Sequence, residues 1–106
     1  DRTEVVKVVV SPEAWESYTR TLIFYSEEWS DVALAKLDRE VIAKLKYLAH
    51  YPTIGAYEDL VDIGKDGIRY RRVIVRHLKV TYKIVRNEIH VTDIFDTRQD
   101  SRKMKG

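Results

Sequence analysis

IRYRRVIVRHLKVTYKIVRNEIHVTDIF, Ile68 to Phe95, is where the chain changes to a period of two. Its runs IRYRRVIV, KVTYKIV and IHVTDIF are rich in β-branched and aromatic residues, and only RHL and RNE separate them. Connectors that short make hairpins, so the stretch reads as a three-stranded antiparallel meander. Alternation puts Arg69 and Arg71 on one face with Val73 and Val75, and Tyr70 and Arg72 on the other with Ile74 and Arg76. Lys79 and Lys83 share a face of the following strand. A bulge anywhere along the run exchanges the faces beyond it.

Upstream of this stretch the period is helical. EVVKVVV, Glu4 to Val10, is almost wholly β-branched and suits a largely buried strand. Ser11-Pro12-Glu13 ends it and starts a helix: a hydroxyl caps free amides, proline fits the first turn, and glutamate suits the positive end. Trp15, Tyr18, Leu22, Tyr25 and Trp29 then recur at helical spacing. They read as a core-facing aromatic stripe on a helix of about five turns. Ser30-Asp31 caps a second helix carrying Leu34, Leu37, Val41, Leu45 and Leu48, and the tight connection implies an antiparallel hairpin. YPTIG, Tyr51 to Gly55, stops it, and residues 56–67 read as a loop. The predicted architecture is α+β. An N-terminal strand and an antiparallel two-helix hairpin are followed by the meander, forming one curled sheet packed on the hairpin in a single domain, residues 1–106.

Composition narrows the function. The 106 residues hold no cysteine, which removes disulfides and thiolate chemistry, and His50, His77 and His90 alone make no plausible zinc set. There is no Gly-rich phosphate loop, no nucleophile elbow and no apolar run of membrane-spanning length. The expectation is a soluble, cytoplasmic protein without metal or cofactor. The net charge of +2 conceals a division: residues 1–64 carry 7 Lys+Arg against 12 Asp+Glu (7 − 12 = −5), residues 65–106 carry 12 against 5 (12 − 5 = +7). Basic charge gathered on a sheet attracts phosphates or an acidic partner, and arginine forks beside Tyr70 and Tyr82 suit phosphates and bases.

The order of elements, with YPTIG, GIRYRRVIV, VTYKIV and EIHVTDIFDTRQD, resembles the RelE/ParE superfamily of bacterial toxins from type II toxin–antitoxin modules, which includes plasmid stabilisation proteins. The resemblance runs over nearly the whole chain and implies a growth-inhibiting toxin silenced by a cognate antitoxin protein. It implies Arg98, Lys79 and Arg72 as catalytic residues if the chain is a nuclease, and Arg69, Arg71, Tyr82 and Arg102 as residues that bind target or phosphate. These cations are expected to converge on one anionic patch on the exposed side of the sheet. The target it implies is DNA gyrase or the ribosome with its messenger RNA. RelE-like members cleave that message without metal, through attack of the ribose 2′-hydroxyl, and commonly carry a tail tyrosine or histidine that DTRQDSRKMKG lacks. His77 or Asp96 is then left as proton acceptor, unless Asp96 pairs with a nearby arginine and fixes the tail. IFDTRQD is similar to the LHGRRD ending of ParE-like members. ParE-like gyrase poisoning is therefore the leading expectation; a ribosome-dependent mRNA endoribonuclease is the alternative, and a decayed, non-toxic binding module the third.

Overall fold

The computed structural model describes residues 5–58 and 66–98. Its elements are β1 (Lys7–Val10), α1 (Pro12–Tyr25), α2 (Asp31–His50), β2 (Ala56–Tyr57), β3 (Arg71–Val75), β4 (Leu78–Val85) and β5 (Glu88–Asp96). They make a five-stranded sheet in the order β1-β5-β4-β3-β2. The meander β3–β5 is antiparallel, β2 pairs antiparallel with β3, and β1 runs parallel to β5. The first strand thus ties the beginning of the fold to its end.

The sheet is open, not curled as the sequence led us to expect. Its outer strands β1 and β2 have no ladder between them, and they are only four and two residues long. Bringing the edges round would need long tilted strands or repeated bulges. A single register shift, between Thr81 and Tyr82, interrupts the β4–β5 ladder. The loop expected at 56–67 contributes β2, because Ala56 and Tyr57 pair with Arg72 and Arg71. The turn between β4 and β5 is a two-residue one in which Arg86 and Asn87 both take positive φ (52° and 65°), the type I′ geometry that matches strand twist.

Both helices begin where the sequence places them. Ser11 Oγ accepts from the Ala14 amide at 3.0 Å, and Ser30 Oγ accepts from the Ala33 amide at 3.1 Å. α1 lies against β5 and buries Ala14, Ser17, Tyr18, Thr21 and Tyr25. The aromatic stripe is therefore corrected at its start: Trp15 is 49% exposed. Small side chains at 14, 17 and 21 let the helix approach the sheet, and that approach turns Trp15 outward. At the other end α1 stops at Tyr25, and Trp29, in the following turn, stacks on it with ring centroids 4.5 Å apart. α2 touches β1 and β3 and contributes Leu37, Val41 and Leu48 to the core. A hydrogen bond of 2.6 Å from Tyr18 to Asp38 joins the helices, and burial, then this bond, raise the Tyr18 pKa.

Leu78, Val80 and Tyr82 of β4 and Ile89, Val91 and Ile94 of β5 form the sheet's share of the core. They and Asp96 point at the helices, whereas Lys79, Thr81 and Lys83 point the other way. Among the described residues no helix is long and apolar enough to cross a membrane.

Candidate target-binding site

At the end of β5 the chain makes a compact polar node. Asp96 Oδ1 accepts from the Arg98 backbone amide at 2.7 Å and from Arg98 Nε at 3.2 Å, while Oδ2 accepts from Nη2 at 2.9 Å. The Tyr25 hydroxyl also donates to Oδ2. Asp96 is 1% exposed, while Arg98 is half exposed. Burial pushes the Asp96 carboxyl up, but the bonds from Arg98 and Tyr25 outweigh it and hold the pKa at about 2. The Tyr25 hydroxyl is pushed up to about 12, first by burial and then by Asp96. The guanidinium is thus a fork pinned by Asp96, with about half its side chain exposed.

Arg98 borders a groove of about 640 Å³, lined among others by Phe24, Trp29, Leu37, Arg76 and His77. Glu27 and Glu28 from the turn after α1 stand on its rim. Arg76, in the β3–β4 turn, is pinned in the same manner by Glu40 of α2, with Nε–Oε1 2.6 Å and Nη2–Oε2 2.9 Å. The Thr97 amide donates to the His77 carbonyl at 3.0 Å, which holds the start of the tail against that turn.

On the face turned away from the helices the basic residues meet acids from the connection between β2 and β3. Lys79 Nζ donates to Glu58 Oε1 at 2.9 Å, and both residues are buried. Arg72 Nη1 is 3.8 Å from the same oxygen and donates instead to the Tyr57 carbonyl. Lys83 Nζ reaches Asp66 at 3.2 Å and lies over the Tyr70 ring.

Where β2 pairs with the start of β3 there is a different group. The guanidinium carbons of Arg69 and Arg71 lie 3.8 and 4.3 Å from the Tyr57 ring centroid. Arg71 also donates to the carbonyls of Thr53 (3.1 Å) and Gly55 (2.9 Å). Beneath it, the Tyr82 hydroxyl donates to the Pro52 carbonyl at 2.7 Å and accepts from the Gly55 amide at 3.0 Å. A Cβ at Gly55 would lie 2.6 Å from that hydroxyl and 2.7 Å from the Arg72 carbonyl. Two motifs quoted from the sequence, PTIG and the tyrosine of the middle strand, therefore meet as one structural clamp. Tyr82 is fully buried in it and offers no surface to a base.

The basic residues singled out from sequence thus gather in three groups, not at one patch: Arg98 beside the groove, Arg72 with Lys79 at Glu58, and Arg69 with Arg71 at Tyr57. Arg102 lies outside the described residues. Of the two proton acceptors considered, Asp96 is bound to Arg98 and Tyr25, and His77 lines the groove beside Arg98. Tyr25, Tyr57 and Glu58 organise these groups, and sequence reasoning assigned none of them a role at the site. Among the described residues no three His, Asp or Glu side chains gather closely enough to hold a metal ion.

No family model and no curated protein matches the sequence. A solved structure, of the chromosomal ParDE TA system from P. aeruginosa, is similar with a TM-score of 0.69, over 87% of this chain and 96% of that one. The two chains share a fold. At 12% identity the likeness is one of backbone, and it agrees with the fold implied by the sequence resemblance, the curl of the sheet excepted.

Proposed function

We propose that the chain is the toxin component of a type II toxin–antitoxin module of the RelE/ParE kind, kept silent by a cognate antitoxin. It arrests growth by binding a target through the Arg98 end of the sheet, in the ParE-like manner with DNA gyrase as that target. The fold shared with the ParDE chain supports the toxin reading. Binding is favoured over cleavage by one observation above all: the cations that would stabilise a phosphorane do not gather at one place, Lys79 and Arg72 meeting at Glu58 while Arg98 stands at the groove. Lys79 is buried against Glu58, and Arg98 is pinned by Asp96. A nuclease needs such cations around one phosphate together with a base and an acid.

Expression without a partner protein tests the toxin reading, since normal growth would leave only a non-toxic binding module. Arg98→Ala should abolish the arrest while the circular dichroism spectrum is unchanged; undiminished toxicity removes Arg98 from the mechanism. The second reading, ribosome-dependent mRNA cleavage, draws on His77, which lines the same groove as Arg98. A translating extract separates the two. Message cut at codon positions favours the nuclease, whereas intact message with gyrase trapped on DNA favours the binding toxin.

A further inference from the structure

Arg98 stands beyond the end of β5, so its direction has to come from a contact outside its own stretch of chain. Among the described residues four hydrogen bonds reach the Asp96 carboxylate, and three of them come from Arg98 itself, two positions along the chain. Those three bind acid to arginine but orient neither relative to the rest of the fold. Pairing with Leu78 in the β4–β5 ladder places the Asp96 backbone and leaves the rotation of its side chain open. The bond from the Thr97 amide to the His77 carbonyl likewise places backbone and not the guanidinium. The fourth bond to the carboxylate closes that freedom: the Tyr25 hydroxyl donates to Oδ2 and joins it to a residue 71 positions away, at the end of α1.

The donor is itself held. Tyr25 is 5% exposed, and Trp29 stacks on its ring with centroids 4.5 Å apart and planes within 11° of parallel. The Trp29 amide donates to the Tyr25 carbonyl at 2.8 Å, so the residue that covers the ring is tied to it through the backbone as well. A hydroxyl on a ring so confined donates only where the ring points. Tyr18 supplies the contrast. It is buried on the same helix and also donates to a carboxylate, that of Asp38 at 2.6 Å, but this bond joins α1 to α2 and ends there. Beyond the carboxylate that Tyr25 holds lies a half-exposed guanidinium beside the groove.

We propose that Tyr25 is the positioning residue for Arg98, acting through Asp96, with the Trp29 ring keeping Tyr25 in place. The arginine takes its direction from the helix and not from the strand end that carries it. For its effect on target binding the proposal rests on the reading of Arg98 given above; the positioning itself is measured without any target.

The test compares Tyr25→Phe with Tyr18→Phe in the full chain, each removing one hydroxyl and keeping its ring. The heteronuclear NOE of the Arg98 Nε–H group reads its fast motion. It should be high in the wild type, fall toward that of an exposed arginine in Tyr25→Phe, and stay unchanged in Tyr18→Phe. Where Asp96→Ala has already cut the path, adding Tyr25→Phe should change nothing further. An Arg98 signal equally ordered in a folded Tyr25→Phe, or loosened as much by Tyr18→Phe, overturns the proposal. Should Tyr25→Phe fail to fold, Trp29→Leu carries the same test, since it keeps the hydroxyl and removes the ring that backs it: lowered Arg98 order supports the proposal and an unmoved signal overturns it. Binding to purified DNA gyrase is the functional arm. Tyr25→Phe should weaken it about tenfold, the size of one hydrogen bond to a charged group, and Tyr18→Phe should not. If Arg98→Ala binds gyrase as the wild type does, the target reading fails, and the Nε–H signal alone decides the positioning.

Discussion

Asp96 and Glu58 are two buried carboxylates on opposite faces of one sheet, each paired with a basic side chain, and they differ in how they are held. Asp96 sits two residues from its arginine and accepts from a backbone amide, a guanidinium and a tyrosine hydroxyl. Its partner remains half exposed, so part of the ion pair stays solvated. Glu58 reaches across 21 residues to Lys79, and there both charges are taken out of water. The first arrangement fixes the direction of the Arg98 guanidinium, whereas the second is a desolvated pair. Removing one member should therefore matter most on the Glu58 side.

Lys79→Met tests that difference at its largest. It takes the close cation away from the buried Glu58 carboxylate, leaving Arg72 at 3.8 Å, and unfolding in urea should show a loss of about 3–5 kcal/mol. Lys79→Met combined with Glu58→Leu removes both charges and should recover most of the loss, since replacing a whole buried pair by apolar groups is often near neutral. A double variant no more stable than the single one would mean that Glu58 does more than balance Lys79.

The Asp96 side is read through pH. Its folded pKa, about 2, lies below its ordinary 3.8, so its contribution is fully present above pH 4 and is lost as pH falls toward 2. The size is about 2 kcal/mol, from a depression of roughly two pH units. Asp96→Asn should lower stability by about that amount at neutral pH and flatten the curve between pH 4 and 2. An acid limb unchanged in the variant would place the sensitivity on another carboxylate.

A smaller effect belongs to the clamp between the Pro52–Gly55 turn and the middle strand. Tyr82→Phe leaves the Gly55 amide and the Pro52 carbonyl without their shared hydroxyl, at a cost of about 1–3 kcal/mol by thermal or urea unfolding. Gly55→Ala should fall in the same range, because the added methyl meets the Tyr82 hydroxyl and a backbone carbonyl and the turn must shift. If Gly55→Ala proves neutral, the turn is held less closely against β4 than the geometry indicates.

What the sequence made legible follows the same division between near and far. The meander was readable because two-residue alternation and two-residue turns are local signals, and both helix starts were readable from Ser11 and Ser30. Asp96 was readable as an arginine partner since Arg98 is two residues away. Glu58 was not, because its partner is set by the β2–β3–β4 register and not by spacing along the chain. The openness of the sheet depends on how its edges end, which alternation does not encode. Trp15 was placed in the core by its spacing from Tyr18 and Tyr25. The contact is governed instead by the small residues Ala14, Ser17 and Thr21, which decide how closely α1 can approach.

The groove supplies a pair at the opposite extreme from Glu58 and Lys79. Arg76 and Glu40 form a bidentate contact as short as that of Arg98 and Asp96, yet both side chains are substantially exposed. Each pKa moves in the favourable direction, Glu40 down and Arg76 up, chiefly through their mutual hydrogen bond. Water and salt screen such a pair, and ordering two long side chains opposes its gain. Arg76→Ala should therefore leave the urea midpoint unchanged within error, at low salt as well as at physiological ionic strength. If stability instead falls at low salt and recovers as salt rises, the Glu27 and Glu28 carboxylates of the groove and the Glu40 carboxylate that held Arg76 repel one another once Arg76 is gone. The arginine's place would then be to neutralise that wall beside Arg98. Burial, not the number or length of hydrogen bonds, is what separates the pairs that hold this fold together from those that only shape its surface.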